Sequence, residues 1–269
     1  MKLKPIGGIV LRQIYLLRGS PVRLFPMVTW VAIDVVLWGF ITKYLNSVSG
    51  SGVNFVPTLL GGVLLWDFCT RIMQGVSTAF LEDVWSRNFL NLFASPLSIS
   101  EYLCGLVLTS IMTSAVGVIV MLLLLLATGV FHLDFFSLGV PLVAFLLLLF
   151  VFGITLGIFA AAIVLRLGPA SEWLLWPLPA LLSPFAAVFY PLATLPQWMQ
   201  WVAHTLPPAY VFEGMRALLA AHAFPTRLLV GGTAVALTEL LLATYFYARV
   251  YRHAVRTGLL ARYSAESAA

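Results

Sequence analysis

The chain has 269 residues, 61% of them hydrophobic and only 9% charged, with a formal net charge of +5. Soluble domains are about one quarter charged, so this composition excludes a water-soluble fold and points to a helical membrane protein with several spans. The basic residues flank apolar runs and form no stripe with interleaved aromatics, so nucleic acid is not an expected partner.

Met1–Arg23 carries Lys2, Lys4, Arg12, Arg18 and Arg23. No small-residue cleavage site follows a short apolar core, so no cleavable leader is expected. Within it, Ile6, Ile9, Val10, Ile14 and Leu17 can share one helical face, with Arg12, Gln13 and Arg18 pointing elsewhere. That pattern suits a helix lying on the cytoplasmic surface over residues 1–23; a basic leader without fixed structure is the alternative. Leu24–Thr42 reads as a first span. It holds Asp34, which is expensive at mid-membrane unless paired, protonated or facing water. Lys43-Tyr44 closes it, and Asn46–Asn54 is a polar turn. Val56–Phe80 is a second span, in which Asp67 and Arg71 are four residues apart and can neutralise each other.

Leu81–Ser98 is polar at its start and amphipathic afterwards. Asp83 and Arg87 can pair at i, i+4. Trp85, Phe89, Leu92 and Phe93 form an apolar stripe, and Pro96 stops the helix. Tyr102–Thr128 and Phe136–Leu165 are third and fourth spans without a charged residue, joined by a turn with His132 and Asp134. Gly153-x-x-x-Gly157 can let another helix approach closely. Gly168-Pro169 breaks the chain, and Trp173–Tyr190 is a fifth span bent by Pro177, Pro179 and Pro184.

Ser183–Leu219 is too apolar for a solvated loop and too broken by proline for a span. Backbone of this kind persists at membrane depth only when packed against protein or lining a cavity. Residues 184–224 are therefore expected to form a re-entrant helical hairpin at the outer boundary. Glu213 and Arg216 are three residues apart there, close enough to pair. Leu228–Ala248 is a sixth span with Glu239, and residues 249–269 form a basic tail. Cys69 and Cys104 lie in apolar segments and read as small packing residues.

Six spans put both termini on one side. Eleven Lys and Arg fall on that side and three on the other, so both termini are expected in the cytoplasm of a plasma (inner) membrane protein. No phosphate-binding G-x-x-x-x-G-K-[ST] loop occurs, and no H-E-x-x-H, G-x-S-x-G or Cys/His cluster. No catalytic or metal-binding residue is therefore proposed. Asp34 and Glu239 are candidates either for a proton relay or for hydrogen bonding between helices.

Four motifs carry a resemblance: Phe189-Tyr190-Pro191, Leu195-Pro196-Gln197-Trp198, Leu206-Pro207 and Glu213-Gly214-Met215-Arg216. In this order, just before a last span, they resemble the hairpin of permease subunits of type 2 ABC exporters. Glu82-Asp83 and Ala94-Ser95-Pro96-Leu97 are similar to that family's coupling helix, although Arg87-Asn88 stands where Gly-Thr/Ser is often found. The resemblance implies one membrane permease domain over 1–269, in an all-α fold of six transmembrane helices with an N-terminal interfacial helix and the outer hairpin. It implies two permease copies, as a homodimer, with two copies of a separate ABC ATPase. That partner would bind ATP and magnesium; this chain would bind no cofactor. Residues 81–98, through Glu82, Asp83, Trp85, Arg87, Phe89, Leu92 and Pro96, would couple to the ATPase. Tyr190, Pro191, Pro196, Trp198, Pro207, Glu213 and Arg216 would build the hairpin. The cargo would be amphipathic or lipid-linked, such as a glycolipid or polysaccharide precursor or a hydrophobic drug-like molecule, moved outward. Two rivals stand: a proton-coupled secondary transporter using Asp34, Asp67 and Glu239, and an intramembrane enzyme acting on lipid head groups.

Overall fold

The computed structural model describes residues 3–20, 25–48, 59–86, 91–92, 95–128, 139–221 and 225–259, and among these every regular element is a helix. Helices α1 (Leu3–Gly19), α2 (Phe25–Val48), α3 (Gly61–Trp85), α4 (Ile99–Thr128) and α5 (Gly139–Leu167) come first. A 3-10 turn (Pro169–Leu174), α6 (Leu178–Leu182), a second 3-10 turn (Leu192–Thr194), α7 (Gln197–Ala203), α8 (Pro207–Ala221) and α9 (Thr226–Thr257) follow.

Helix α5 is the centre of the packing. It lies against α3, α8 and α9, while α3 also packs on α4, and α4 on α1 and α2. The close approach of α5 to α3 comes from small residues. A Cβ at Gly153 would stand 2.7 Å from the Cys69 carbonyl oxygen, and one at Gly157 would stand 2.6 Å from Val76 Cβ. Only glycine lets the two backbones meet there. Around this contact Ile72, Val76, Phe80, Leu149 and Phe152 are fully or almost fully buried, and Phe80 meets Tyr247 of α9 edge-on at 6.3 Å.

The outside is as apolar as the inside. Trp30, Ile33, Leu37 and Phe40 on α2, Ile119 and Leu123 on α4, and Leu237, Leu241 and Leu242 on α9 all point outward. A surface like this fits lipid and not water. Among the described residues four helices are long and apolar enough to cross a membrane, over Thr29–Val48, Ile99–Leu124, Pro141–Leu167 and Thr226–Thr257. Helix α3 is equally long but carries Asp67, Arg71, Glu82 and Asp83.

Several sequence expectations change. Helix α2 does not end at Lys43-Tyr44 but runs to Val48, where Ser47 Oγ donates to the Tyr44 carbonyl 2.7 Å away and so satisfies itself within the helix. Helix α3 does not stop at Phe80; Leu81–Trp85 continue it, because Asp83 and Phe80 share its buried face. Trp173–Tyr190 is not one helix. Pro177, Pro179 and Pro184 remove donors and clash with preceding turns, leaving the five-residue α6 between turns. At Gly168, φ is 98°, a left-handed value that ends α5 ahead of Pro169. On α1, Gln13 does not face away from the core: Ile6, Ile9 and Gln13 are its buried residues. Their i, i+3, i+7 spacing forms one ridge, seated on α4 where Gly105 leaves room for Ile9.

Candidate functional site

Two clusters of polar side chains stand out against the apolar helices, one along α3 and one in the segment before α9. Asp67 and Arg71 form a bidentate pair, with Arg71 Nε 2.6 Å from Oδ2 and Nη2 3.0 Å from Oδ1. Their spacing puts them on one face of α3. Gly117 of α4 makes space for the arginine stem, since a Cβ there would lie 3.2 Å from Arg71 Cδ. Asp34 on α2 lies within electrostatic reach of both partners. Glu239 stands apart from them on α9, with Oε2 buried and without a hydrogen-bond partner among the described residues.

Three turns along, Asp83 is 1% exposed and joins three helices. Arg12 of α1 makes a salt bridge to it through Nη1, and the buried Tyr102 hydroxyl of α4 donates to Oδ2 at 2.8 Å. Burial disfavours the charge on Arg12. The hydrogen bond to Asp83 and its negative charge outweigh that, and the guanidinium pKa rises above its ordinary value. Asp83 is thus an interior residue held by Arg12 and Tyr102 and does not project outward from α3, while its expected pairing with Arg87 lies outside the described residues. Trp85 ends α3 in the open, its indole donating to Glu172 Oε2 at 2.7 Å. Arg87 and Phe89 lie outside the described residues. Leu92 is half-buried against the main core, and Pro96 is exposed. Past it, Ser98 and Glu101 cap α4 reciprocally, Ser98 N–H donating to Glu101 Oε2 at 3.1 Å and Glu101 N–H to Ser98 Oγ at 3.3 Å.

Between these two polar ties lies a cavity of about 470 Å³, lined by residues of α1, α2, α3 and α4 and by Trp176. Its lining includes Arg71, Glu82, Gln13, Thr78, Thr109, Thr113 and Ser114.

The second cluster fixes the proline-rich segment. Pro191 and Pro196 hold extended backbone ahead of the second 3-10 turn and α7, and Pro207 opens α8. Glu213 Oε1 accepts the Leu192 N–H at 2.6 Å and pairs with Arg216 Nη2 at 3.0 Å. The same Nη2 donates to the Ala187 carbonyl at 2.6 Å. Tyr190 Oη donates to the Pro184 carbonyl at 2.7 Å. Trp198, exposed to solvent or lipid, meets Phe185 edge-on at 6.3 Å, and Phe189 stacks on Trp38 of α2 at 5.5 Å. The segment is thus tied to α2 and to its own turns by named bonds.

Arg12, Gln13, Tyr102, Glu172 and Ser114 join these sites without having been singled out as functional from the sequence. The Ser-x-x-Glu pattern at 98–101 gives a readable signal for the α4 cap. Nothing local announces the partners of Asp83, which lie far along the chain in both directions.

Residues 15–220 match the family described as ABC-2 type transporter. No curated protein matches the chain.

Proposed function

We infer the function from one premise: this chain belongs to the ABC-2 type transporter family, by a match that covers most of its length. It is a transport subunit of an ABC system, embedded in the membrane by its apolar helices. Our reading goes further. We propose an exporter permease that works with two copies of a separate ATPase and a second copy of itself. The ATPase binds ATP and magnesium and this chain binds neither. The chain crosses the inner membrane six times with both termini in the cytoplasm. The broken Trp173–Tyr190 segment makes the fifth crossing, and residues 184–224 form an outer re-entrant hairpin. The cargo is amphipathic or lipid-linked.

The observation that carries this reading is the family match, whose residues include both the α3 end and the Glu213–Arg216 cluster. Support for coupling through Glu82–Pro96 comes from the unbroken run of α3 from Gly61 to Trp85. A push at its cytoplasmic end reaches Arg71 through one rigid rod of about 21 Å, at 1.5 Å per residue. The test is co-expression of the tagged chain with ABC ATPase subunits from the same genome, followed by affinity purification and transport in proteoliposomes. An ATPase that co-purifies, and export that stops without hydrolysable ATP, is the expected result. Uptake driven by a proton gradient with no ATPase present would replace this reading with a secondary transporter.

A further inference from the structure

Helix α9 is longer than the hydrocarbon core of a bilayer. Its apolar run, Leu228–Ala248, spans about 32 Å at 1.5 Å per residue, against a core of about 30 Å. The helix continues to Thr257, and this extension carries Arg249, Arg252 and Arg256. Arg249 and Arg252 stand about 2 and 6 Å past the end of the run, at the depth of lipid head groups. One side of the extension is fixed. Tyr247, Val250 and Ala254 are buried in the main core, and Gly258, with a φ of 70°, ends the helix before Leu259 packs there too.

The arginines lie on the other side. At 3.6 residues per turn, Leu241, Tyr245, Arg249, Arg252 and Arg256 fall within an arc of about 80°, with Tyr247, Val250 and Ala254 opposite. Leu241 and Tyr245 are 72% and 57% exposed, so the arginines continue a face that lipid covers. Tyr245 Oη accepts from Arg249 Nη1 at 3.3 Å, and Arg252 Nε donates to the Ala248 carbonyl at 3.2 Å, which leaves the Nη groups of Arg252 uncommitted. Among the described residues none of the three arginines has an ion pair, and the sequence holds no Asp or Glu between Glu239 and Glu266. An excess of cations at this end for topology, or for the helix dipole, is satisfied by any face. Neither puts all three on the lipid side.

We propose that Arg249, Arg252 and Arg256 form a binding stripe for anionic phospholipid head groups, those of the inner leaflet in the topology proposed above. Each guanidinium can meet phosphate oxygens in a fork, and each stands one turn from the next. The stripe selects net charge. The ammonium of a zwitterionic lipid finds no carboxylate there among the described residues, whereas a lipid whose phosphate is unbalanced gains from every arginine. A docked protein fits this face less well, because the stripe continues the lipid-facing side of α9 and begins at head-group depth.

The test uses the full chain in phosphatidylcholine nanodiscs containing a trace of phosphatidylglycerol with a diazirine on its head group. After irradiation, adducts are expected on peptides covering Tyr245–Leu259, and excess unlabelled phosphatidylglycerol should remove them. Added salt should weaken the labelling, since exposed charges are screened. Arg249→Gln, Arg252→Gln and Arg256→Gln should each weaken it about fivefold, the factor for one cation at an anionic surface. The triple variant should fall to the level given by a phosphatidylcholine probe with the same diazirine. Thermal unfolding should be unchanged for Arg256→Gln, whose side chain makes no hydrogen bond among the described residues, which keeps the test valid if losing the Tyr245 bond makes Arg249→Gln less stable. Equal labelling of the unaltered chain by the phosphatidylcholine probe overturns the lipid class. Phosphatidylglycerol labelling indifferent to the triple variant overturns the site. Loss of co-purified ATPase from the triple variant, with lipid labelling at the phosphatidylcholine level throughout, makes the stripe a protein-docking surface and overturns the proposal as well.

Discussion

Arg216 holds the carbonyl of Ala187 at 2.6 Å, and among the described residues Ala187 is the non-glycine with a positive φ, 55°. An L-residue in that region costs about 1–2 kcal/mol, so the turn needs an external tie. The same guanidinium nitrogen reaches Glu213, which in turn holds the Leu192 amide. One ion pair thus fixes two stretches of proline-broken backbone that cannot hydrogen-bond within a helix.

Arg216→Lys keeps the charge but not the placement of Nη2, the nitrogen that meets Ala187 and Glu213 together. We expect it to lower stability by about 1–3 kcal/mol, the penalty for buried groups left without a partner. Glu213→Gln should behave similarly. Thermal unfolding in detergent checks this, alongside transport of several cargoes, which should decline together. Full stability with loss of anionic cargo alone would move Arg216 from the anchor to the substrate path.

The α1 tie makes a second prediction. Tyr102→Phe removes only the hydroxyl on Asp83, and should cost about 1.5–3 kcal/mol, the usual range for a hydrogen bond to a charged group. Asp83→Asn should cost more, because it also strips the partner of the half-buried Arg12. Hydrogen exchange in α1 should accelerate in both variants, since Arg12 is its polar attachment to α3. A double-mutant cycle between Arg12→Met and Asp83→Asn that shows no coupling would disprove the tie.

Much of this architecture is legible in the sequence, and the gaps have physical causes. The apolar runs that become α2, α4, α5 and α9 are readable because lipid demands long uninterrupted helices. Trp173–Tyr190 has the composition of a span, but its prolines cut it. The α3 end at Trp85 is hard to read because an amphipathic stripe continues the same period past it. Arg12 and Gln13 mislead for a different reason: where the surroundings are lipid, polar groups turn inward to find partners, so the usual rule that they face away fails. The Asp83–Tyr102 bond joins two helices, which no spacing rule within one helix can reach.

A third prediction concerns glycine packing. Gly153→Ala and Gly157→Ala each place a methyl against backbone or a β-branched stem of α3. Each should destabilise by about 1–3 kcal/mol through overpacking. Gly8→Ala on α1 meets nothing within 4 Å and should stabilise by up to about 1 kcal/mol through helix propensity. Equal effects at all three positions would show that the α3–α5 approach is looser than the geometry described above.

The coupling proposal gives a fourth. Leu92 is half-buried against the core at the cytoplasmic end of α3 as we orient it. Leu92→Asp, and Phe89→Asp on the same stripe, should reduce co-purified ATPase at least several-fold while membrane insertion persists. Unchanged ATPase recovery and transport would exclude this segment from docking.

The last prediction separates the members of the α2–α3 charge cluster. Arg71 is bonded to Asp67 and also lies within electrostatic reach of Asp34. Removing either partner of a fully buried pair typically costs about 3–5 kcal/mol, because one charge is left uncompensated, and this part-buried pair should cost less than that. The two removals are not equivalent here. Asp67→Asn leaves Arg71 with Asp34 nearby, whereas Arg71→Gln leaves two carboxyl groups near each other with their cation gone. Arg71→Gln should therefore be the more damaging, and adding Asp34→Asn to it should recover part of the loss. Replacing Asp67 and Arg71 together with Leu should be milder than either single change, since no charge is stranded. Thermal unfolding in nanodiscs measures all of these. Equal losses for the two single variants, with no recovery from Asp34→Asn, would show that Asp34 takes no part and that the cluster is only the Asp67–Arg71 pair.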